Sequence, residues 1–250
     1  MYRFFVLPED IDEQEGIIRI KGEDVNHIRN VLRMKPKEEV LLTSGRQNEP
    51  TDYVCAIEDF PEGEVLTKIQ EKRSSEAELP SKIYLFQGLP KGDKLESIIQ
   101  KSVELGVYKV IPTVMSRCVV KIDPKKAAKK TDRWNAIALS AAKQSKRGII
   151  PGVSSPLTWK PALEAAGKLD RIIVPYEDAR GISHTREVLS SVKAGESVGV
   201  FIGPEGGFSE KEIEDLEMAG AEIVTLGHRI LRTETAGPAI LSMLMLHLER

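Results

Sequence analysis

Along residues 1–73 the hydrophobic positions come in short runs, 17–20, 39–43, 53–57 and 65–69, divided by pieces rich in Gly, Pro, Asn and Asp. Runs of that length between turn formers predict a small β barrel or sandwich. Residues 24–34 break the pattern. There Val25, Ile28, Val31 and Leu32 recur at helical spacing, which sets Arg29, Arg33 and Lys35 on or near the opposite face of a helix. The following stretch, 71–80, is polar, aperiodic and closed by Pro80, the composition of a linker. The reading is a first domain over 1–73, a linker over 74–80 and a second domain over 81–250.

Beyond the linker the rhythm becomes apolar strand, turn, amphipathic helix. Strands are expected at 82–87, 109–114, 171–175 and 197–202, and the helices that follow them at 92–105, 124–145, 183–192 and 209–219. A last strand over 222–226 and a closing helix over 234–249, with Ala236, Ile240, Leu241, Leu244, Met245 and Leu248 apolar, complete an α/β domain with a mainly parallel sheet.

Composition agrees with two globular domains: of 250 residues, 41% are hydrophobic and 30% charged, enough to bury a core. No window approaches the roughly 18 apolar residues of a membrane span, and the start lacks a secretory h-region, so a cytoplasmic protein is expected. Cys55 and Cys118 lie far apart along the chain, form no metal motif or disulfide framework, and read as structural thiols. His27, His184, His228 and His247 show no ligand spacing, so no metal site is expected. The net charge of −2 argues against bulk electrostatic binding of nucleic acid, yet Lys125, Lys126, Lys129, Lys130, Arg133, Lys143, Lys146 and Arg147 cluster. On charge alone that cluster reads first as a solvated helix face.

In an open α/β sheet ligands bind beyond the carboxyl ends of the strands. Two loops there stand out. In Phe201-Ile202-Gly203-Pro204-Glu205-Gly206-Gly207-Phe208-Ser209 a hydrophobic strand runs into three glycines, and Ser209 with Glu212 matches a capping box. Such a loop can lie flat on a planar ligand or serve only as a tight turn. It is neither a dinucleotide nor a nucleoside-triphosphate motif. The second loop runs from Leu226 to Ala236. Its backbone at Leu226, Ile230 and Arg232 can meet a heterocycle's edge, and Thr233 or Glu234 is expected to cap the last helix.

Together the two loops resemble the cofactor-binding signature of SPOUT methyltransferases. Gln87-Gly88-Leu89-Pro90-Lys91-Gly92-Asp93-Lys94-Leu95-Glu96, the stretch from Gln100 to Gly106, and Ala141-Ala142-Lys143-Gln144-Ser145-Lys146-Arg147 narrow the likeness to the RsmE family, 16S ribosomal RNA uridine 3-nitrogen methyltransferases. Arg3-Phe4-Phe5 and the stretch from Gly22 to Arg33 extend it over nearly the whole chain. The resemblance implies a PUA-like RNA-binding β-barrel followed by an α/β domain threaded through a trefoil knot, a homodimer, S-adenosylmethionine as cofactor and the small ribosomal subunit as partner. It places cofactor contacts at Pro175, Tyr176, Ile202, Gly203, Pro204, Gly206, Gly207, Leu226, Gly227, Ile230, Leu231, Arg232, Thr235 and Ala236, with Glu177 beside them. RNA contacts would come from Arg3, Arg29, Arg33, Lys91, Lys94, Arg117, Lys121, Gln144 and Arg147. The sequence departs from the family at Lys143, where an acidic residue is usual, at Cys118, where serine is common, and at Pro36-Lys37-Glu38-Glu39, which replaces a Gly-Asp turn.

A sulfonium-bound methyl group is already activated, so alignment and exclusion of water are the main demands. The uracil 3-nitrogen must also lose its proton. Arg232 is the candidate for stabilising the developing negative charge, and Glu205 and Glu234 are candidates for accepting the proton or anchoring the loops. Two other readings remain: a non-catalytic RNA-binding or ribosome-assembly protein, and a SPOUT enzyme acting on another RNA. A nucleotide-dependent hydrolase or reductase lacks its phosphate motif.

Overall fold

Two compact units emerge, one of Met1–Glu78 with Ala142–Ile150, the other of Leu79–Ala141 with Pro151–Arg250. The structure is a computed structural model that describes residues 1–48, 50–120, 124–177 and 181–249, with side chains for all of these except 124–126.

The first unit is built on a six-stranded sheet: β1 (Tyr2–Phe5), β2 (Ile11–Asp12), β3 (Ile17–Lys21), β4 (Glu39–Thr43), β5 (Thr51–Asp59) and β6 (Glu64–Ser74), in the order β1-β4-β5-β6-β3-β2. Only β1 and β4 run parallel. Register shifts between Val54 and Cys55 and between Ile57 and Asp59 bend the long β5–β6 ribbon. Phe4, Ile18, Ile20, Leu42, Cys55, Ile57 and Val65 fill its core. The expected helix is present as α1 (Glu23–Asn26), which widens into a π-type turn over His27–Val31. It buries Val25 and Ile28 but leaves Val31 62% exposed. Besides the two-residue β2, two features escape the hydrophobic pattern. β1 adds a strand at the start of the chain, and β6 continues to Ser74, where Lys72 pairs with Tyr53 and Ser74 with Thr51. These late β6 residues are exposed and polar, so backbone pairing rather than burial holds them.

Ala142–Ile150 joins this unit through a buried carboxylate. Glu78 receives Arg147 in a two-pronged pair, 2.9 Å to Nε and 2.6 Å to Nη2, and accepts the backbone N–H groups of Gly148 (2.7 Å) and Ile149 (3.2 Å). Thr43 donates its hydroxyl to the Gly148 carbonyl at 2.9 Å. A Cβ at Gly148 would sit 2.2 Å from Ser75 Oγ, so this crossing admits only glycine.

The second unit is an all-parallel sheet of β7 (Lys82–Gly88), β8 (Lys109–Val114), β9 (Gly152–Val153), β10 (Leu157–Thr158), β11 (Arg171–Pro175), β12 (Ser197–Ile202) and β13 (Glu222–Val224). The order is β10-β8-β7-β12-β11-β13, with β9 paired to β8. Around it lie α2 (Lys94–Glu104), α3 (Pro124–Gln144), α4 (Trp159–Ala166), α5 (Ile182–Ser191), α6 (Glu210–Met218) and α7 (Thr233–Leu248). The continuous apolar runs of β7 and β12 are explained by burial on both faces. On one face Phe86 stacks on Phe201, the ring centroids 4.4 Å apart and the planes nearly parallel, with Trp159, Ala162 and Leu216 in the same cluster. On the other, Leu85 and Ile202 lie beside Gly237 of α7, which also packs against α2. α4, with its short strands β9 and β10, lies in a region that the hydrophobic rhythm leaves unassigned. Among the described residues, no helix is long and apolar enough to cross a membrane.

Candidate functional site

The carboxyl ends of β11, β12 and β13 open into one cavity of about 590 Å³. Its walls are Pro175, Tyr176 and Glu177 after β11; Ile202, Gly203, Pro204, Gly207 and Phe208 after β12; and Thr225 to Leu231 after β13. Gly181 and Ile182 at the start of α5, with Thr233 and Ala236 of α7, complete it. A site of that size and largely apolar lining suits a ligand of nucleoside size.

Close packing of main chain shapes the loop after β12. A Cβ on Gly203 would stand 3.1 Å from the Gly207 carbonyl carbon, and one on Gly88 only 2.5 Å from Pro204 N. Gly207 turns with φ +67°, donating its N–H to Pro204 O at 2.9 Å. The capping box is formed: Ser209 Oγ accepts from Glu212 N, and the Glu212 carboxylate accepts from Ser209 N at 2.8 Å. The other Glu212 oxygen accepts from Ser116 N at 2.8 Å, tying in the loop after β8.

Thr233 does something other than cap α7. Arg232 is the residue at the cap, and no side chain bonds there. The Thr233 hydroxyl donates to Gly203 O at 2.7 Å and accepts from Gln87 Nε2 at 2.8 Å, so it joins two loops instead.

Of the residues to which the sequence assigns ligand contact, Pro175, Tyr176, Ile202, Gly203, Pro204, Gly207, Leu226, Gly227, Ile230, Leu231 and Ala236 line the cavity, and Gly206, Arg232 and Thr235 do not. Gly206 is turned toward Arg117, whose Cβ would be 3.0 Å from an added methyl and whose Nη1 donates to Gly206 O at 3.0 Å. Arg232 is exposed, and among the described residues its guanidinium forms no ion pair. Thr225, His228 and Arg229 are lining residues that contiguity with Leu226 and Ile230 would have indicated. Phe208 belongs to the glycine-rich loop already singled out, whereas Gly181 and Ile182 carried no sequence signal.

Beside the cavity, Lys94 sits between two carboxylates, 3.0 Å from Glu205 Oε1 and 3.6 Å from Glu234 Oε2. Lys91 N also donates to Glu205, at 3.1 Å. Partial burial pushes the Glu205 carboxyl up, but the Lys94 bond and the backbone N–H groups outweigh it and hold the group below the usual carboxylate range. The bond to Glu205 in turn raises the Lys94 ammonium. Glu205 thus ties the turn before α2 and Lys94 to the loop after β12, and Glu234 lies within ion-pair reach of the same ammonium.

The basic candidates separate into two kinds. Arg3 and Arg147 have side chains only 8% and 3% exposed and are bound to Asp52 and Glu78, which corrects their assignment to RNA: neither guanidinium faces solvent. Arg29 is half-buried, donating to the carbonyls of Pro61 and Glu64 over the Phe60 ring, and it too is an internal tie. Arg33, Lys91, Arg117 and Gln144 are exposed. Lys121 and the side chains of Lys125 and Lys126 lie outside the described residues. Lys143 pairs with Asp24 at 3.2 Å.

A family model described as an RNA methyltransferase domain matches residues 77–245, and one described as an RNA methyltransferase PUA domain matches residues 20–70. Ribosomal RNA small subunit methyltransferase E of Bacillus subtilis (strain 168) is 39% identical over 240 residues, 94% of this chain and 93% of its own. The crystal structure of a ribosomal RNA small subunit methyltransferase E from Neisseria gonorrhoeae bound to S-adenosyl methionine is similar at TM-score 0.77 and 30% identity, covering 98% of this chain and 97% of that one. A methyltransferase from Legionella pneumophila in complex with the bound cofactor is similar at TM-score 0.75 and 32% identity, over 98% and 96% of the two chains.

Proposed function

The chain belongs to the ribosomal RNA small subunit methyltransferase E family, and from that membership we infer that it transfers a methyl group from S-adenosylmethionine to the 3-nitrogen of a uracil in 16S ribosomal RNA. The observation that carries this reading is the cavity at the ends of β11, β12 and β13, with its glycine-shaped main-chain walls.

Those walls fit the cofactor. Ile202, Pro204, Phe208, Leu226, Ile230, Leu231 and Ala236 offer apolar surface to a purine, and Gly203, Gly207 and Gly227 line the same cavity with no side chain between ligand and main chain. Glu177, His228 and Arg229 supply charge of both signs for an amino-acid tail. Bound there, S-adenosylmethionine supplies an electrophilic methyl group.

This chain's part is to align the base, exclude water and favour the deprotonated 3-nitrogen. Arg232, exposed and free of an ion pair among the described residues, is the residue proposed to stabilise charge on the uracil. Arg33, Lys91, Arg117 and Gln144 are proposed to meet the RNA backbone or bases. Lys94 pairs with Glu205 and Glu234 and so joins the start of α2 to the loop after β12 and to α7. Phosphate contacts of this kind position the RNA, and the target base must be unstacked to reach the methyl group.

We further propose that the C-terminal segment is threaded as in the SPOUT class, that the enzyme works in the cytoplasm on the small subunit or its RNA, and that it forms a homodimer. The 78% exposure of Leu246 on α7 supports the last point. Labelled cofactor should transfer its methyl group to naked RNA, small subunits or whole ribosomes, and nucleoside mass spectrometry should find 3-methyluridine. Its absence with all three substrates refutes the reading.

A further inference from the structure

Gln87 stands near the carboxyl end of β7, the strand that neighbours β12 in the sheet, and is wholly buried. Its Nε2 donates to Gly88 O at 3.0 Å and to Thr233 Oγ1 at 2.8 Å, and Thr233 Oγ1 donates onward to Gly203 O at 2.7 Å. The direction of this relay is set by chemistry. A carbonyl oxygen only accepts, so the atom facing Gly88 O must be Nε2. Nε2 only donates, so the Thr233 hydroxyl is left with its hydrogen for Gly203.

The other amide atom, Oε1, is buried on the side of Gly237 and has no hydrogen-bond partner among the described residues. Leucine or methionine would fill that space without a stranded oxygen of its own, and would lose only what Nε2 donates to Gly88 O and Thr233 Oγ1. Packing therefore does not account for an amide at this position; what Nε2 holds does.

The peptide at the end of the relay joins Gly203 to Pro204 and has no N–H. Its carbonyl is the single hydrogen-bonding group by which that peptide can be oriented. Gly203 begins the loop after β12, Thr233 ends the loop after β13, and both line the cavity.

We propose that Gln87 and Thr233 are positioning residues for S-adenosylmethionine. Thr233 orients the Gly203–Pro204 peptide, Gln87 orients Thr233, and together they keep the two walls of the cavity at their spacing before the ligand arrives. Gln87 does not line the cavity and acts only through Thr233. The inference rests on the reading of the cavity as the cofactor site.

Calorimetric titration of the full chain with S-adenosylmethionine tests it. Thr233→Val should weaken binding by about tenfold or more and raise KM for the cofactor in proportion, with kcat at saturation within about threefold. Thr233→Ser, which restores the hydroxyl, should bind within about threefold of wild type, and Gln87→Leu should fall between. Ile99→Val, in the core of α2, serves as the control for loss of stability alone. Affinity unchanged in a folded Thr233→Val protein overturns the proposal, as does an equal loss of affinity in Ile99→Val. Should Thr233→Val fail to fold, Gln87→Leu, which keeps the hydroxyl but frees its rotation, decides by the same criterion. A wild-type protein that does not bind the cofactor removes the cavity assignment itself, and the inference with it.

Discussion

The carboxylate of Glu212 accepts the backbone N–H of Ser116 at 2.8 Å while it caps its own helix at Ser209. It is 4% exposed, and its partners are N–H and O–H donors rather than a cation. One buried side chain thus ties the loop after β8 to the loop after β12. Glu212→Ala strands those donors and should cost roughly 2–3 kcal/mol, and Glu212→Gln somewhat less because the amide keeps one acceptor. Chemical denaturation measures both. A cost below about 0.5 kcal/mol, the level of an ordinary surface change, would deny the tie.

Gly88 and Pro204 are packed so closely that a methyl at position 88 would lie 2.5 Å from the proline nitrogen. The obstacle is backbone, which cannot rotate away. Gly88→Ala should destabilise the second unit by about 1–3 kcal/mol and weaken cofactor binding by displacing the loop after β12. Thermal melts with and without cofactor check it: the shift produced by the ligand should shrink in the variant.

Arg147 and Arg33 should behave oppositely. Arg147→Ala leaves Glu78 buried without its cation and should cost roughly 3–5 kcal/mol. Arg33→Ala should leave stability alone but lower the slope of log affinity for RNA against log salt by roughly 0.7 if it contacts one phosphate. Measuring both quantities on both variants separates internal support from RNA contact.

The Lys94–Glu205 pair should persist across the neutral range. Glu205 is depressed, so its contribution is present above the ordinary carboxylate value and lost as pH falls through the lowered one. Lys94 is raised, so its contribution is present below the ordinary ammonium value and lost as pH rises through the raised one. The acid limb of the pH–rate profile should therefore be the same in Glu205→Gln and wild type. A shifted limb would restore Glu205 as the base.

Burial pushes the Cys55 thiol up to about 11. Because the unfolded thiol ionises first, folding stability should decline between pH 9.0 and about 11, and Cys55→Ala should flatten that decline. In the native protein at pH 8, Cys55 should resist a disulfide reagent that labels it after unfolding.

Apart from the two-residue strands β9 and β10, the strands and helices of the second unit were legible in the sequence because parallel strands buried on both faces write continuous apolar runs, and helices packed on one side write a 3.6-residue period. α4 was not, since its eight residues offer too little of either. The last part of β6 was hidden for a different reason: its polar residues are held by backbone pairing, which any composition can make.

The same division runs through the site. Gly203, Gly207 and Gly227 declare themselves in the sequence because φ angles of +67° and +111° and close backbone approach demand glycine. Charge patterning, by contrast, could not tell Arg147 from Arg33, because a partner's position and the burial around it are properties of the folded chain. Thr233 reads as a cap in one dimension. Only the tertiary structure brings Gln87 to it from 146 residues away and Gly203 from 30, and so makes it the link between the walls. Local sequence determined which segments bend, coil and extend, since those preferences act over a few residues. Folding decided which polar groups meet, because a hydrogen bond depends on distance in space and not along the chain.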